Sequence, residues 1–393
     1  MKGIYLSNLD PIKAKGYDTK ILGQIQGFNQ LGIDISFIGL ATDNQIIFKN
    51  YSALTRSLVE EKTLRTFRNN LISKRINLYR SATDAIAKIA PDFLYLRHPR
   101  SDPLYLYFLR SVKKISSQIV IISEIPTYPY DQEYLNCKKV KNKLLICLDK
   151  ITRNKLKQYI DYIVVVTYEG FVLGIPSINI TNGINVNYVN VIDRPTLIGQ
   201  ELQLIGVGNI DFWHGYDRVI YGLKNYYQNS QKQNPITIKF NIVSPLTQTV
   251  KALQALTNKF NLSNYIIFHG IQDGIELNQI FAQSHLAVGD LGSHRKGLEK
   301  TAALKVREYT ARGIPFITSA EDPDFSSDFP YIFKAPPNEE AINIEQVIDF
   351  AKEVYRDENH SYKMREYAAK NLDWSIKLKP VIEVIKHLPY SAK

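Results

Sequence analysis

The feature that most restricts this chain is an alternation that runs through once and then begins again. In the N-terminal half, short apolar runs alternate with longer amphipathic stretches, the pattern of a parallel α/β domain. "GIYLSNL" reads as a first strand and residues 18 to 31 as a helix. "IDISFIGL", "DFLYLRHP", "QIVIISEIP" and "YIVVVT" follow as buried strands, and "SINITNGIN" closes the set. The segment "VIDRPTLIGQ", residues 191 to 200, carries a proline and turn residues and marks a boundary near 195. Beyond it the alternation restarts. "LQLIGVGN", "ITIKFNIVS", "YIIFHGI" and "LAVGDL" are strand-like, separated by the helical "YDRVIYGLKNYYQN", residues 247 to 260 and "ELNQIFAQS". The expected fold class is α/β, two Rossmann-like domains facing across a cleft. They are expected over 1–190 and 196–374, with a last helix, about 375–393, packing back on the first. A ligand is expected at strand C-termini in that cleft.

A chain of 393 residues suits two such domains. Its 45% hydrophobic and 22% charged residues describe a globular protein. No apolar run reaches the roughly 18 to 20 residues that cross a bilayer, and "MKGIYLSNLD" reads as strand and turn rather than leader. Cys137 and Cys147 lack metal-ligand spacing. Together these features predict a reducing, cytoplasmic setting.

The charge is uneven. Residues 1 to 195 hold 27 Lys+Arg against 16 Asp+Glu, which accounts for the whole net charge of +11. The densest stretch, "KKVKNKLLICLDKITRNKLK" at 138–157, has eight basic residues and one acidic residue. As an amphipathic helix it suits an anionic membrane surface, where each cation contributes about 1 kcal/mol. A solvated helix face has the same composition. No helix-turn-helix, zinc-finger or RNA-binding signature accompanies the basic half, so no nucleic-acid partner is expected.

"LKVREYTARGIPFITS", residues 304 to 319, places a charged helix before Gly313 and Pro315, with a strand after them. The helix is expected from near Thr301 to Gly313. Val306, Tyr309, Thr310 and Gly313 share one face, while Lys305, Glu308 and Arg312 lie within about 60° of one another on another. Alone, that charged face reads as a solvated i, i+3 ion pair worth a few tenths of a kcal/mol. The preceding loop, "GDLGSHRKGLEKTAALK" at 289–305, adds His294, Arg295, Lys296, Lys300 and a helix N-terminus. Free N–H groups beside cations form an anion site. A carboxylate a turn or two inside the helix can accept hydrogen bonds from a ribose diol. Cradle and acceptor together suit a nucleoside diphosphate.

The order of elements, with "NGIN" at 182–185, "VGNIDFWHGYDRVIYGL" at 207–223 and "LKVREYTARGIPF" at 304–316, resembles nucleotide-sugar glycosyltransferases of GT-B architecture. It is most similar to the retaining, glycogen-synthase-like and mannosyltransferase-like group of bacterial polysaccharide assembly. The likeness covers most of the chain, is weak over 40–90 and is strongest in the second half. It implies a cytoplasmic transferase, at most peripheral to the inner membrane face. Such an enzyme moves a sugar from a UDP- or GDP-sugar to a hydroxyl of a glycan or lipid-linked acceptor. No metal and no cofactor beyond that donor are expected, since the chain has no clear carboxylate pair and the architecture relies on fixed cations. An inverting transferase, an epimerase and a non-catalytic scaffold on the same fold remain as alternatives.

Residue by residue, the resemblance makes Glu308 the ribose-binding carboxylate. The amides near Ala302, Ala303 and Leu304 fall to the diphosphate, with Lys305 as a further phosphate contact. Where the group carries another Glu eight positions earlier, this chain has Lys300. Where it carries Arg and Lys after the first strand of the second domain, the loop after Gly208 offers Asn209 and His214. Arg295 and Lys296 are candidates to supply the missing charge.

In the first domain, the glycine-containing "PIKAKGYD" at 11–18 nominates Gly16 and Tyr17 for backbone approach to a phosphate. His98, ending "YLRH", matches the region where related enzymes carry a histidine near the donor sugar. Glu124, in "ISEIPTYPY", ends another strand and is a candidate base toward an acceptor hydroxyl, or a loop-capping carboxylate.

Overall fold

The computed structural model describes residues 1–9, 15–41, 44–67, 70–126, 128–131, 140–166, 170–191, 199–229 and 236–387; residues 15–18, 71 and 140–143 are described by backbone only. The chain forms two compact units, Met1–Asn185 with Trp374–Lys393, and Val186–Asp373.

The first unit is built on a nine-stranded sheet in the order β4-β3-β2-β1-β5-β6-β7-β9-β8. Its strands are β1 (Lys2–Leu6), β2 (Asp34–Leu40), β3 (Gln45–Ser52), β4 (Ser57–Thr66), β5 (Phe93–Arg97), β6 (Val120–Ile125), β7 (Tyr162–Val165), β8 (Phe171–Val172) and β9 (Ile175–Asn179). The helices are α1 (Lys15–Gln30), α2 (Leu71–Ile89), α3 (Pro103–Ile115) and α4 (Val140–Thr152). β2, β1, β5, β6, β7 and β9 are parallel. "FLYLR" and "VIISEI" are buried at every residue, as strands covered on both faces must be. β3 and β4 extend one edge as an antiparallel hairpin whose outer strand is exposed along most of its length.

The second unit has a six-stranded, wholly parallel sheet, β12-β11-β10-β13-β14-β15. These strands are β10 (Glu201–Val207), β11 (Thr237–Val243), β12 (Ile266–Gly270), β13 (Leu286–Val288), β14 (Phe316–Thr318) and β15 (Ile332–Lys334). Between and after them lie α5 (Tyr216–Asn229), α6 (Gln248–Lys259), α7 (Gly274–Gln283), α8 (Leu304–Arg312), α9 (Ile344–Val354) and α10 (His360–Tyr367). Strand order reverses between β10 and β13, so their C-terminal ends flank a switch point, where loops part and leave a crevice.

Two buried polar anchors brace this second unit. Arg218 of α5 is buried and donates to the carbonyls of Leu291, Pro336 and Glu340 and to the Asn338 side chain. Arg307 of α8 is buried and paired with Asp322 and Asp324. Gly313 ends α8 at φ +71, and a Cβ there would lie 2.4 Å from a Ser361 backbone atom, so no other residue fits.

The last two helices, α11 (Trp374–Lys377) and α12 (Lys379–His387), belong to the first unit. Trp374 lies in a groove of α1 made by two missing side chains. A Cβ on Gly23 would stand 2.5 Å from its indole, and one on Gly27 would stand 2.8 Å from its Cβ. The Lys20 ammonium lies 5.6 Å from the ring centroid, a cation–π contact.

Candidate functional site

In the second unit the site is assembled where two loops meet. The β10–α5 loop begins at Gly208, at φ +138, and ends at Gly215, at φ +65. The β13–α8 loop runs beside it. Leu291 and Gly292 donate backbone hydrogen bonds to the carbonyls of His214 and Trp213. The approach is so close that a Cβ on Gly215 would meet the Gly292 nitrogen at 2.7 Å. Below lies an aromatic floor. Tyr216 occupies the space a side chain on Gly206 would need, and its hydroxyl donates to the Val288 carbonyl at 2.9 Å. Tyr309 from α8 reaches the same carbonyl at 3.3 Å.

Over this floor stand three ionisable side chains. Lys305, in the first turn of α8, brings Nζ to 3.1 Å from Asp290 Oδ1 and 5.7 Å from the Tyr216 ring. That Nζ also lies 3.9 Å from where a Gly208 Cβ would be. Both Nζ and Oδ1 are buried, and neither completes a hydrogen bond. His214 Nδ1 accepts from the Asp211 amide at 2.9 Å, which leaves the proton on Nε2, 3.8 Å from the same Asp290 oxygen. Burial and the neighbouring Lys305 cation hold the His214 pKa near 4, so the ring is neutral. Burial also lowers the Lys305 pKa against the pull of Asp290. Burial raises Asp290, but Lys305 and His214 outweigh it and the net direction is down.

One turn further along α8, Glu308 Oε1 accepts from Arg312 at 2.8 Å. Arg312 in turn donates to Asn278 of α7 and stacks on Phe281, 4.3 Å from its centroid. Glu308 is thus oriented by a planar guanidinium while remaining partly exposed. Ala303 caps α8 without a side-chain hydrogen bond, so the amides that open the helix have no side-chain acceptor at the cap. Chemically, this is an ammonium, a helix N-terminus and an imidazole N–H at one end of α8, with a carboxylate a turn away.

The structure gathers Gly208, His214, Ala303, Leu304, Lys305 and Glu308 around this switch point, with Asn209 exposed on the loop above. Arg295 is arranged differently from a free cation. Its guanidinium pairs with Asp217 and with Glu339 and donates to the Phe212 carbonyl, so its charge is already matched. Lys296 lies over the Trp213 ring at 4.4 Å. Lys300 forms a strand-like bridge with Glu321. Asp290 was not among the residues singled out from sequence. Its signal in the sequence is an acid two positions after a buried strand, flanked by Gly289 and Gly292.

In the first unit, His98 follows β5 with its ring between Tyr105 and Tyr130, at 5.8 and 6.2 Å. Nδ1 lies 3.1 Å from Ser123 Oγ, and Nε2 is buried without a partner. Burial holds its pKa near 4. Glu124 is 1% exposed and fully engaged. Lys20 stands at 2.6 Å, Arg97 at 3.1 Å, and Gln24 and the Tyr95 hydroxyl donate at 3.0 and 2.9 Å. Burial raises its pKa, but Lys20 and Arg97 overcome that and bring it to about 2. Such a carboxylate is a poor proton acceptor; its setting is that of a structural counter-ion for two buried cations. Gly16 and Tyr17 fall in the first turn of α1 rather than a loop, and their side chains lie outside the described residues.

Among the described residues no group of three or more His, Cys, Asp or Glu side chains is placed to hold a metal ion. Nor is any helix among them long and apolar enough to cross a membrane.

No protein-family model matches the sequence, and comparison with curated proteins gives no match either. Solved structures do match in fold. A glycosyltransferase from Rickettsia africae ESF-5 aligns with a TM-score of 0.63 at 11% identity, covering 100% of both chains. The sucrose-phosphate synthase of Thermosynechococcus elongatus aligns at 0.65 and 11% identity, also over 100% of both. The catalytic domain of starch synthase IV from Arabidopsis thaliana, solved with ADP and acarbose, aligns at 0.62 and 11% identity over 98% of each. The chain therefore has the fold of two Rossmann-like units known as GT-B.

Proposed function

We propose that this protein is a glycosyltransferase that moves a sugar from a nucleoside-diphosphate sugar to a hydroxyl of a glycan or lipid-linked glycan acceptor. The reading extends to retention at the anomeric carbon and to a role in polysaccharide assembly. The observation that carries it is the buried ammonium of Lys305 at the N-terminus of α8, ion-paired with Asp290 and one turn from the carboxylate of Glu308. Residues three apart on a helix stand about 5–6 Å from each other. That matches the step from a diphosphate to the diol of its own ribose. The fold's likeness to a glycosyltransferase and to an ADP-bound starch synthase supports the same substrate class.

On this reading Glu308, held by Arg312, accepts hydrogen bonds from the ribose hydroxyls. The α8 amides around Leu304, the Gly208–Asn209 backbone and Lys305 receive the diphosphate. In the reaction the bond from the anomeric carbon to the diphosphate breaks and a bond to the acceptor oxygen forms. Charge grows on the leaving phosphate, and fixed donors already aimed at it lower the barrier. Asp290 pairs with the Lys305 ammonium and holds it in place. His214 donates from Nε2. In the first unit, neutral His98 offers Nε2 to a sugar hydroxyl, and Glu124 braces Lys20 and Arg97.

Calorimetric titration with UDP, GDP and ADP tests the reading. Binding of one of them, lost in Glu308→Ala, supports it. Absence of binding to every nucleoside diphosphate overturns it and favours a non-catalytic scaffold.

A further inference from the structure

Helix α4 and the 3-10 turn that continues it, Arg153–Gln158, present two contrasting faces. The inner face buries Ile146, Asp149, Thr152 and Leu156 in the first unit. Leu144 and Ile151 lie seven residues apart, hence within about 20° of each other around the helix. They are 71% and 73% exposed. Cys147, also exposed, lies between them. An outward stripe of large apolar residues on a surface helix is not explained by the unit's own core.

Its surroundings are cationic. Lys150, Lys155 and Lys157 are exposed on the same segment. Its one carboxylate, Asp149, points inward: Oδ1 accepts from the Ser101 amide and Oδ2 from the Tyr130 hydroxyl. The nearby Asp131 is taken up mainly by Arg153 at 2.7 Å, with Lys150 more loosely at 3.6 Å, which leaves Lys155 and Lys157 without a carboxylate among the described residues of this segment. An apolar stripe flanked by lysines, with its only acid withdrawn, has the chemistry of a helix lying in the interface of an anionic bilayer. The apolar side chains enter the acyl boundary and the ammonium groups meet lipid phosphates. The concentration of the whole net charge in residues 1 to 195 points the same way.

We propose that the outer face of α4 docks this protein on the surface of an anionic membrane. The inference stands independently of the donor site, which lies in the second unit. It has one consequence for the first. Asp149 ties α4 to Ser101 and Tyr130, and the Tyr130 ring flanks His98. Docking through α4 therefore sets the His98 loop at a fixed place relative to the lipid headgroups, where a lipid-linked acceptor is presented.

The test is flotation of the full chain with vesicles of phosphatidylcholine alone and of phosphatidylcholine with about a third phosphatidylglycerol. Binding is expected to the anionic vesicles only, and to weaken as salt is raised from about 0.1 to 0.5 M. Leu144→Glu with Ile151→Glu is expected to lower partitioning at least tenfold. Both side chains are exposed, so the thermal midpoint and nucleotide binding should stay unchanged. Failure of the parent to float with anionic vesicles, or equal flotation of the double variant, overturns the proposal. Self-association that the double variant abolishes, without vesicle binding, also overturns it in favour of a second copy on this face.

Discussion

The Lys305 ammonium stands 3.1 Å from Asp290 Oδ1 with no hydrogen bond completed at either atom. Such a pair holds a buried cation charged while leaving its N–H groups for another acceptor. Lys305→Met is expected to weaken nucleoside-diphosphate binding by about 10- to 100-fold, since a charged hydrogen bond contributes about 1.5–3 kcal/mol. It also strands a buried carboxylate, at a cost of about 3–5 kcal/mol. Lys305→Met with Asp290→Asn should regain stability in urea titrations but not affinity in calorimetry. Recovery of both would show that the ammonium does not contact the ligand.

Glu308 predicts the reverse balance. Its pair with Arg312 is partly exposed and contributes at most about 1 kcal/mol to folding. Glu308→Ala should therefore fold normally and bind the nucleotide at least tenfold more weakly. The ribose gives a sharper check. Removing the 2′-hydroxyl from the ligand should lower affinity for the parent and leave the variant's affinity unchanged. Equal losses in both proteins would place the diol elsewhere.

Acid should destabilise the fold in two stages. His98 and His214 have pKa values near 4, below the ordinary imidazole value of about 6.5. Between those values the unfolded chain binds protons that the folded chain does not, so stability falls as pH drops from about 6.5 to 4. Each ring accounts for roughly 3 kcal/mol. Glu124, held at about 2, adds a second loss as pH falls through the ordinary carboxylate range toward 2. Denaturation midpoints measured against pH should show the first slope reduced in His214→Asn.

The Trp374 groove can be filled from the other side. Gly23→Val puts a branched side chain where the indole lies and should cost at least 1–3 kcal/mol through overpacking. The chain has two tryptophans. In a Trp213→Phe background, fluorescence therefore reports Trp374 alone. Its emission should move to the red in Gly23→Val, and limited proteolysis should release the C-terminal segment. An unchanged spectrum would mean that the groove widens without losing its occupant.

What could be read along the chain depended on how local the cause was. β5 and β6 announce themselves because strands buried on both faces are predominantly apolar. β4 does not, because it lies exposed at an edge and shows no alternation. The start of α8 was expected near Thr301 but falls at Leu304. Thr301 instead donates to the Glu321 carbonyl, and Lys300 bridges to the same residue, which keeps the chain extended. Lys305 and Glu308 share a helix, so their grouping follows from spacing alone. The engagement of Arg295 does not. Its partners, Asp217 and Glu339, are 78 and 44 positions away and meet it only once the sheet has formed. Glu124 is similar, since Lys20 reaches it across 104 residues of sequence.

The seating of Trp374 on α1 sets an order of events during synthesis. The first unit draws its closing piece from beyond residue 373, so it cannot be finished while the ribosome is still making the second. Until Trp374 emerges, the Gly23–Gly27 face stays bare, and α1 awaits a partner translated some 350 residues later.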